Sequence, residues 1–136
     1  MRKIALDVGS KSCGIAISDP LGITAQGKEN FFFPEKNWEI LIKHLEDNYF
    51  SDVDTIIIGY PTLPSGDKSK TTLMIEEFKK ELSKRTSLPI VFIDEAYTTK
   101  KSHEIMIQAN ISRKNRKKHK DKLSAVLILQ DYLSRM

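Results

Sequence analysis

Three carboxylates stand where a carboxylate can do chemistry. Asp7 ends the apolar run K-I-A-L-D-V, Glu95 closes P-I-V-F-I-D-E, and Asp121 opens the last apolar-periodic stretch. Burying a lone carboxylate is costly, so an Asp in an apolar strand must be paired, hydrogen-bonded or metal-bound. Gly9, two residues on, lets a ligand or a backbone approach Asp7 closely. Carboxylate oxygens on rigid elements are the ligands that Mg²⁺ or Mn²⁺ prefer. A pair of such ions about 4 Å apart can activate water and stabilise the leaving oxygen in phosphodiester cleavage. Taken singly, each acid also has a structural reading. Asp7 can cap a turn, Glu95 can be a strand-end surface charge, and Asp121 can be a helix N-cap. The functional reading rests on the three meeting at one edge.

A second group of residues points to the substrate's charge. The net charge is +4, from 22 basic and 18 acidic residues. Residues 113–120, R-K-N-R-K-K-H-K, hold six Lys or Arg and no acid, while the rest of the chain nets −2. Arg113, Lys114, Arg116, Lys117, Lys118 and Lys120 are therefore one local cluster, which suits an anionic polymer, nucleic acid first. The alternative is a solvated, charge-rich loop. Lys68, in the loop after a buried strand, could touch phosphates, as could Lys70, or both could be ordinary surface lysines.

The elements that must position these residues are legible as periods. Lys3–Val8 and Gly14–Ser18 flank the polar link Gly9-Ser10-Lys11-Ser12, which predicts a β-hairpin. Gly22 to Phe33 reads as a third strand, with Phe31–Phe33 in the core or at a strand edge. Pro34 then opens a helix over 35–50, in which Trp38, Leu41, Ile42, Leu45 and Tyr49 share a face. His44 lies off that stripe and is expected in solvent. Asp54 to Tyr60 is a β-branched run suited to a strand covered on both faces. It ends in Gly59-Tyr60-Pro61 and a loop marked by Gly, Pro and Ser. A loop at the carboxyl end of such a strand is where α/β sheets bind ligands.

A second helix is expected over 71–84, with a stripe of Leu73, Met74, Glu77, Phe78 and Leu82. A strand follows over 89–95, then a third helix to about Ala109. Asn110 to Lys120 reads as a basic connection, and the last helix as about Asp121 to Leu133. Three strands followed by alternating helices and strands predict a mixed five-stranded sheet with helices on both faces. With the first strand central, the parallel strands' carboxyl ends lie on one side, which puts Asp7 and Glu95 close together. On the last helix, Asp121, Ser124, Ala125 and Ile128 share a face. The small residues Ser124 and Ala125 would let that face approach the sheet and bring Asp121 toward Asp7.

Length and composition bound the rest. A chain of 136 residues is expected to form one domain, 1–136, with a core large enough to need no staples. No apolar run approaches the ~18 residues a membrane span needs. No secretory signal is visible, and the one cysteine, Cys13, cannot form an internal disulfide. A cytoplasmic protein without a membrane partner is the simplest reading.

Four motifs in order resemble one family. The hairpin A-L-D-V-G-S-K-S-C-G-I-A-I-S-D is similar to L-D-x-G-x-K-R-x-G-V-A-x-S-D. I-I-I-G-Y-P is similar to V-V-G-L-P, I-D-E-A-Y-T-T to D-E-R-x-T-T, and D-K-L-S-A-V-L-I-L-Q-D-Y-L to D-x-x-A-A-x-x-I-L-x-x-Y-L. These are motifs of the YqgF family, described as candidate Holliday junction resolvases with a role in maturing the precursor of 16S ribosomal RNA. The resemblance implies an α/β, RNase H-like fold and a metal-dependent nuclease. It implies that Asp7, Glu95 and Asp121 are catalytic acids binding Mg²⁺ or Mn²⁺, and that Gly9, Gly14, Gly59 and Pro61 shape the loops around them. Glu95 would take the role of an acid that some related nucleases carry at the position of Gly59.

Ser12 and Ala96 stand where the family usually has Arg. Each loss removes a charge able to hold a phosphate, and Lys11, Lys100 and the basic cluster are the candidates to compensate. The expected partner is an RNA precursor or branched DNA, bound by a monomer or a homodimer. The alternative function is a non-catalytic nucleic-acid-binding or ribosome-assembly module with a degenerate site. Sugar kinases and actin-like ATPases share the D-x-G hairpin, but they need two such domains, and this chain has room for one.

Overall fold

The computed structural model describes residues 1–61, 69–94 and 113–135; for Asp94 and residues 113–121 it describes the backbone alone. The elements in chain order are β1 (Arg2–Val8), β2 (Ser12–Ser18), β3 (Ala25–Phe32), α1 (Trp38–Asn48), a 3₁₀ turn (Phe50–Asp52), β4 (Val53–Tyr60), α2 (Lys70–Ser83), β5 (Ile90–Asp94) and α3 (Arg113–Ser134). The five strands form one mixed sheet in the order β3-β2-β1-β4-β5. β1 is central. It pairs antiparallel with β2 and parallel with β4, and β4 pairs parallel with β5.

Alternation along the strands sorts side chains onto two faces. Ile4, Leu6 and Val8 of β1 and Ile56 and Ile58 of β4 pack with Leu41, Ile42 and Leu45 of α1 and with Ile75, Phe78 and Leu82 of α2. On the other face Ala5, Ala16, Ile57 and Ile93 pack with Ala125, Ile128 and Leu129 of α3. Helices therefore cover both faces, as expected. β4 is apolar on both sides, with Ile56, Ile57 and Ile58 all fully buried.

Several expectations need correction. β3 begins at Ala25, because Asp19 organises residues 19–24 as a turn: its carboxylate accepts from the N–H groups of Ile23 (2.6 Å) and Thr24 (2.8 Å). α1 begins at Trp38, not after Pro34. Lys36 takes a left-handed conformation (φ 54°), and Asn37 caps the helix by accepting from the Ile40 N–H at 3.3 Å. Of the three phenylalanines, Phe33 is buried and Phe32 is exposed at the strand's end. The α2 stripe runs through Thr72, Met74, Ile75, Phe78 and Leu82, while Leu73 is exposed. Most consequentially, the basic cluster 113–120 is no loop. It forms the first turns of α3, which makes Asp121 an interior helical residue and not an N-cap. Lys and Arg are good helix formers, and no Gly or Pro interrupts 113–134. The helix expected over 99–109 lies outside the described residues.

Candidate active site at the carboxyl edge of the sheet

β1, β4 and β5 are parallel, so Val8, Tyr60 and Asp94 end on one edge of the sheet. Asp7 lies just inside that edge on the central strand. It shares the α3 face with Ala5, two residues before it. Across the ladder its partner on β2 is Gly14. On β4 the next position after Ile58, the partner of Leu6, is Gly59. Asp7 is thus flanked on both sides by residues without side chains, both of them buried, while Asp7 itself is half-buried. Glycines inside strands mark places where a ligand or another backbone comes close. Asp7 is not an isolated charge; it interacts within the chain.

Gly9 has a different reason. A Cβ there would lie 3.2 Å from the Ser12 carbonyl oxygen, to which the Gly9 N–H donates at 2.7 Å. The close approach it permits is that of the hairpin's own backbone. Pro61 closes the end of β4; its carbonyl accepts from the buried Thr72 hydroxyl at 2.8 Å, which ties β4 to the start of α2.

The direction of α3 follows from its contacts. Its last turns, at Gln130, Leu133 and Ser134, line a cavity with Leu21, Gly22 and Ile23 of the β2–β3 turn. That turn lies at the amino edge of β1, so the N-terminal half of α3 runs toward the edge of Asp7. Ser124 and Ala125 are fully buried, and Asp121 lies one turn earlier on the same helical face. Four residues of helix rise about 6 Å, and the two residues from Ala5 to Asp7 rise about 7 Å. With Ala5 and Ala125 in one cluster, Asp121 lies one turn further along α3, toward the edge that carries Asp7. The close packing that small residues were expected to allow is present. It is close at the edge strand too, where a Cβ on Gly27 would lie 3.0 Å from Lys122 Cγ and 3.2 Å from Val126 Cγ2.

Glu95 follows Asp94, the last residue of β5, and lies outside the described residues, as do Lys68 and Lys100. Lys11 is exposed in the hairpin link. Arg113, Lys114, Arg116, Lys117, Lys118 and Lys120 occupy consecutive turns of α3 ahead of Asp121. Among the described residues no three His, Cys, Asp or Glu side chains gather as a metal site. Asp7 is the one member of the acid set whose side chain is described. Hard carboxylate oxygens, the donors expected from Asp7, Glu95 and Asp121, have the chemistry of a Mg²⁺ or Mn²⁺ site.

His44 is a correction of another kind. It is half-buried, its Nε2 lies 3.0 Å from Glu29 Oε2, and its ring stacks on Phe31 at 3.8 Å between centroids. The Tyr49 hydroxyl donates to the same Glu29 oxygen. Burial works to raise the Glu29 pKa, but the hydrogen bonds from Tyr49 and His44 and the charge of His44 outweigh it, and the net shift is downward. Burial and Glu29 push the Tyr49 phenol upward. Glu29 is on β3 and His44 on α1, so no period within one element could reveal the pair. The sequence reading also missed Lys36, whose position against the hairpin link comes from its left-handed backbone.

A central strand with an acid one residue from its end, a two-strand antiparallel extension and helices on both faces make an RNase H-like fold. The structure of T. thermophilus RuvC in complex with a Holliday junction substrate is similar in fold, with a TM-score of 0.58 at 10% identity over 100% of this chain and 96% of that one. The family model for RuvX, described as Holliday junction resolvase, matches residues 1–135. A relative from Mycoplasmopsis pulmonis, named as a candidate pre-16S rRNA nuclease, is 46% identical over 98% of this chain and 93% of its own length. One of the same name from Ureaplasma parvum serovar 3 is 41% identical over 99% and 97%. The chain belongs to the RuvX (YqgF) family, nucleases that hydrolyse phosphodiester bonds.

Proposed function

We propose that this chain is a divalent-metal-dependent nuclease that processes the 5′ end of pre-16S rRNA in the cytoplasm, with Asp7, Glu95 and Asp121 as its catalytic acids. The observation that carries the reading is the setting of Asp7, on the central strand, between two glycines, on the face that α3 covers. The names of the relatives support ribosomal RNA as substrate. Asp7, Glu95 and Asp121 would hold Mg²⁺ or Mn²⁺. Such ions, when bound, activate water and stabilise the leaving oxygen.

The chain's own residues do the rest. The glycine positions beside Asp7 leave room for a phosphodiester at the sheet edge. The cationic turns of α3, from Arg113 to Lys120, draw the strand's backbone to that edge. If these turns grip phosphates, log K falls with log salt at about −0.9 per phosphate engaged on duplex DNA. Neutralising the cluster then makes that slope shallower.

A second reading, resolution of branched DNA, is favoured by the family's description. The test offers a labelled precursor rRNA fragment and a four-way DNA junction to the wild type and to Asp7→Asn, each with Mg²⁺, with Mn²⁺ and with chelator. Metal-dependent cleavage of the RNA, lost in the variant, is expected. Cleavage of the junction alone selects the second reading. Binding without cleavage of either selects a non-catalytic assembly module.

A further inference from the structure

Across the sheet edge from Asp7, on the face under α1 and α2, lies a cleft of 330 Å³ lined by Gly9, Ser10, Lys36, Lys70, Thr71 and Met74. Its walls come from three places: the β1–β2 link, the turn before α1 and the first turn of α2. No acid lines it. Lys36 and Lys70 are exposed, and among the described residues neither forms an ion pair. The hydroxyl-bearing residues Ser10 and Thr71 stand beside the lysines, and Met74 is the apolar member of the lining. Lys70 and Thr71 are the first residues of α2, so the positive end of a 14-residue helix adds to the cationic character.

Lys36 is held there against its backbone preference. It is the one non-glycine with positive φ among the described residues. Its N–H donates to the Ser10 carbonyl at 2.7 Å, and the neighbouring Phe33 N–H donates to the Lys11 carbonyl at 2.9 Å. The turn is thereby locked onto the link that follows Asp7. A glycine would adopt this conformation without steric cost. A lysine adds a charge at the mouth of the cleft instead.

We propose that this cleft is a phosphate subsite for the nucleic-acid strand, in which Lys36 and Lys70 hold a backbone phosphate next to the one presented at Asp7. The distance suits this role, because Gly9 in the link lies two residues beyond Asp7, no more than about 7 Å of chain. The strand would cross the sheet edge over Gly9, where no side chain stands in its way. The inference deepens the nuclease reading and rests on it. Lys36 and Lys70 are positioning residues: they fix the register of the strand and do not touch the reacting atoms.

The test is binding, measured apart from cleavage. Fluorescence anisotropy with the labelled rRNA fragment and the four-way junction, in chelator, is recorded over a salt series for wild type, Lys36→Gly, Lys70→Gln, the double variant and the control Lys43→Gln. Lys43 is an exposed lysine on α1 away from the cleft. The double variant is expected to bind about tenfold more weakly, with a slope of log K against log salt shallower by roughly one to two units. Lys43→Gln keeps the wild-type slope. Lys36→Gly melts at or above the wild-type temperature, so weakened binding cannot be ascribed to a damaged fold. A wild type that binds while the double variant keeps its slope and affinity overturns the subsite and leaves the nuclease reading standing. A wild type that binds neither probe overturns both.

Discussion

The face of the sheet under α1 and α2 is packed with Ile, Leu, Phe and Trp, whereas the face under α3 mixes the small Ala5, Ala16 and Ala125 with Ile57, Ile93, Ile128 and Leu129, on the side of the sheet that carries Asp7. On the first face Phe78 is fully buried with its ring edge-on to Trp38 at 5.4 Å, and Trp38 in turn meets Phe33 at 5.9 Å. Large interlocking side chains of this kind supply most of the apolar area removed from water. On the second face Ala5, Ala16, Ser124 and Ala125 are just as fully buried, but each contributes little area. What they provide is proximity: small side chains let the α3 backbone come close to the face of the sheet that carries Asp7. Both sides bury aliphatic side chains, and the α3 side gives up part of that area to small residues.

Mutations should separate the two. Phe78→Ala, on the large-residue face, should lose about 3–5 kcal/mol of stability in denaturant titrations, with activity per folded molecule little changed. Ala125→Leu, on the small-residue face, should cost about 1–3 kcal/mol through overpacking. It should also cut cleavage by the remaining folded protein, because α3 must move off the sheet.

Glu29→Gln, at the margin of the large-residue face, acts through pH. The carboxyl of Glu29 is held below its usual value of 4.5. Its contribution is therefore present above about pH 4.5 and is lost as the pH falls through its lower folded value. The variant should therefore melt modestly below the wild type in the neutral range, with the gap closing as the pH falls through that acid window, as seen by thermal melts from pH 3 to 7. Asp54→Asn should give the smallest effect. Its carboxylate meets Lys3 at 2.7 Å, and the hydrogen bond from Lys3 is the main cause of its lowered pKa. The pair is partly exposed, so its loss should cost no more than about 1 kcal/mol.

Much of this architecture is legible in the sequence where one period runs uninterrupted. The hairpin around Gly9–Ser12, the doubly covered β4 and the α3 face of Ser124, Ala125 and Ile128 were all readable as patterns. Two kinds of feature were not. Local backbone choices shift boundaries: Pro34-Glu35 looks like a helix start, but Lys36 turns left-handed and Asn37 caps. Contacts between elements leave no period at all, which is why His44, paired with Glu29 across 15 residues, read as a solvated side chain. The basic cluster misled for a third reason. Its charge suggested a loop, while its Lys and Arg content favours the helix that it forms. That difference matters for the site, since Asp121 is held within a continuous helix.

The claim that Asp7 on the α3 face serves chemistry and not stability is tested most directly by Asp7→Asn, measured twice on one preparation. The first measurement is the melting temperature, and the second is metal-dependent cleavage of the precursor rRNA fragment. The account predicts a melting temperature equal to or above that of the wild type, with cleavage down roughly a hundredfold or more. A variant that melts lower yet cleaves like the wild type would contradict it, because Asp7 would then be a structural turn residue.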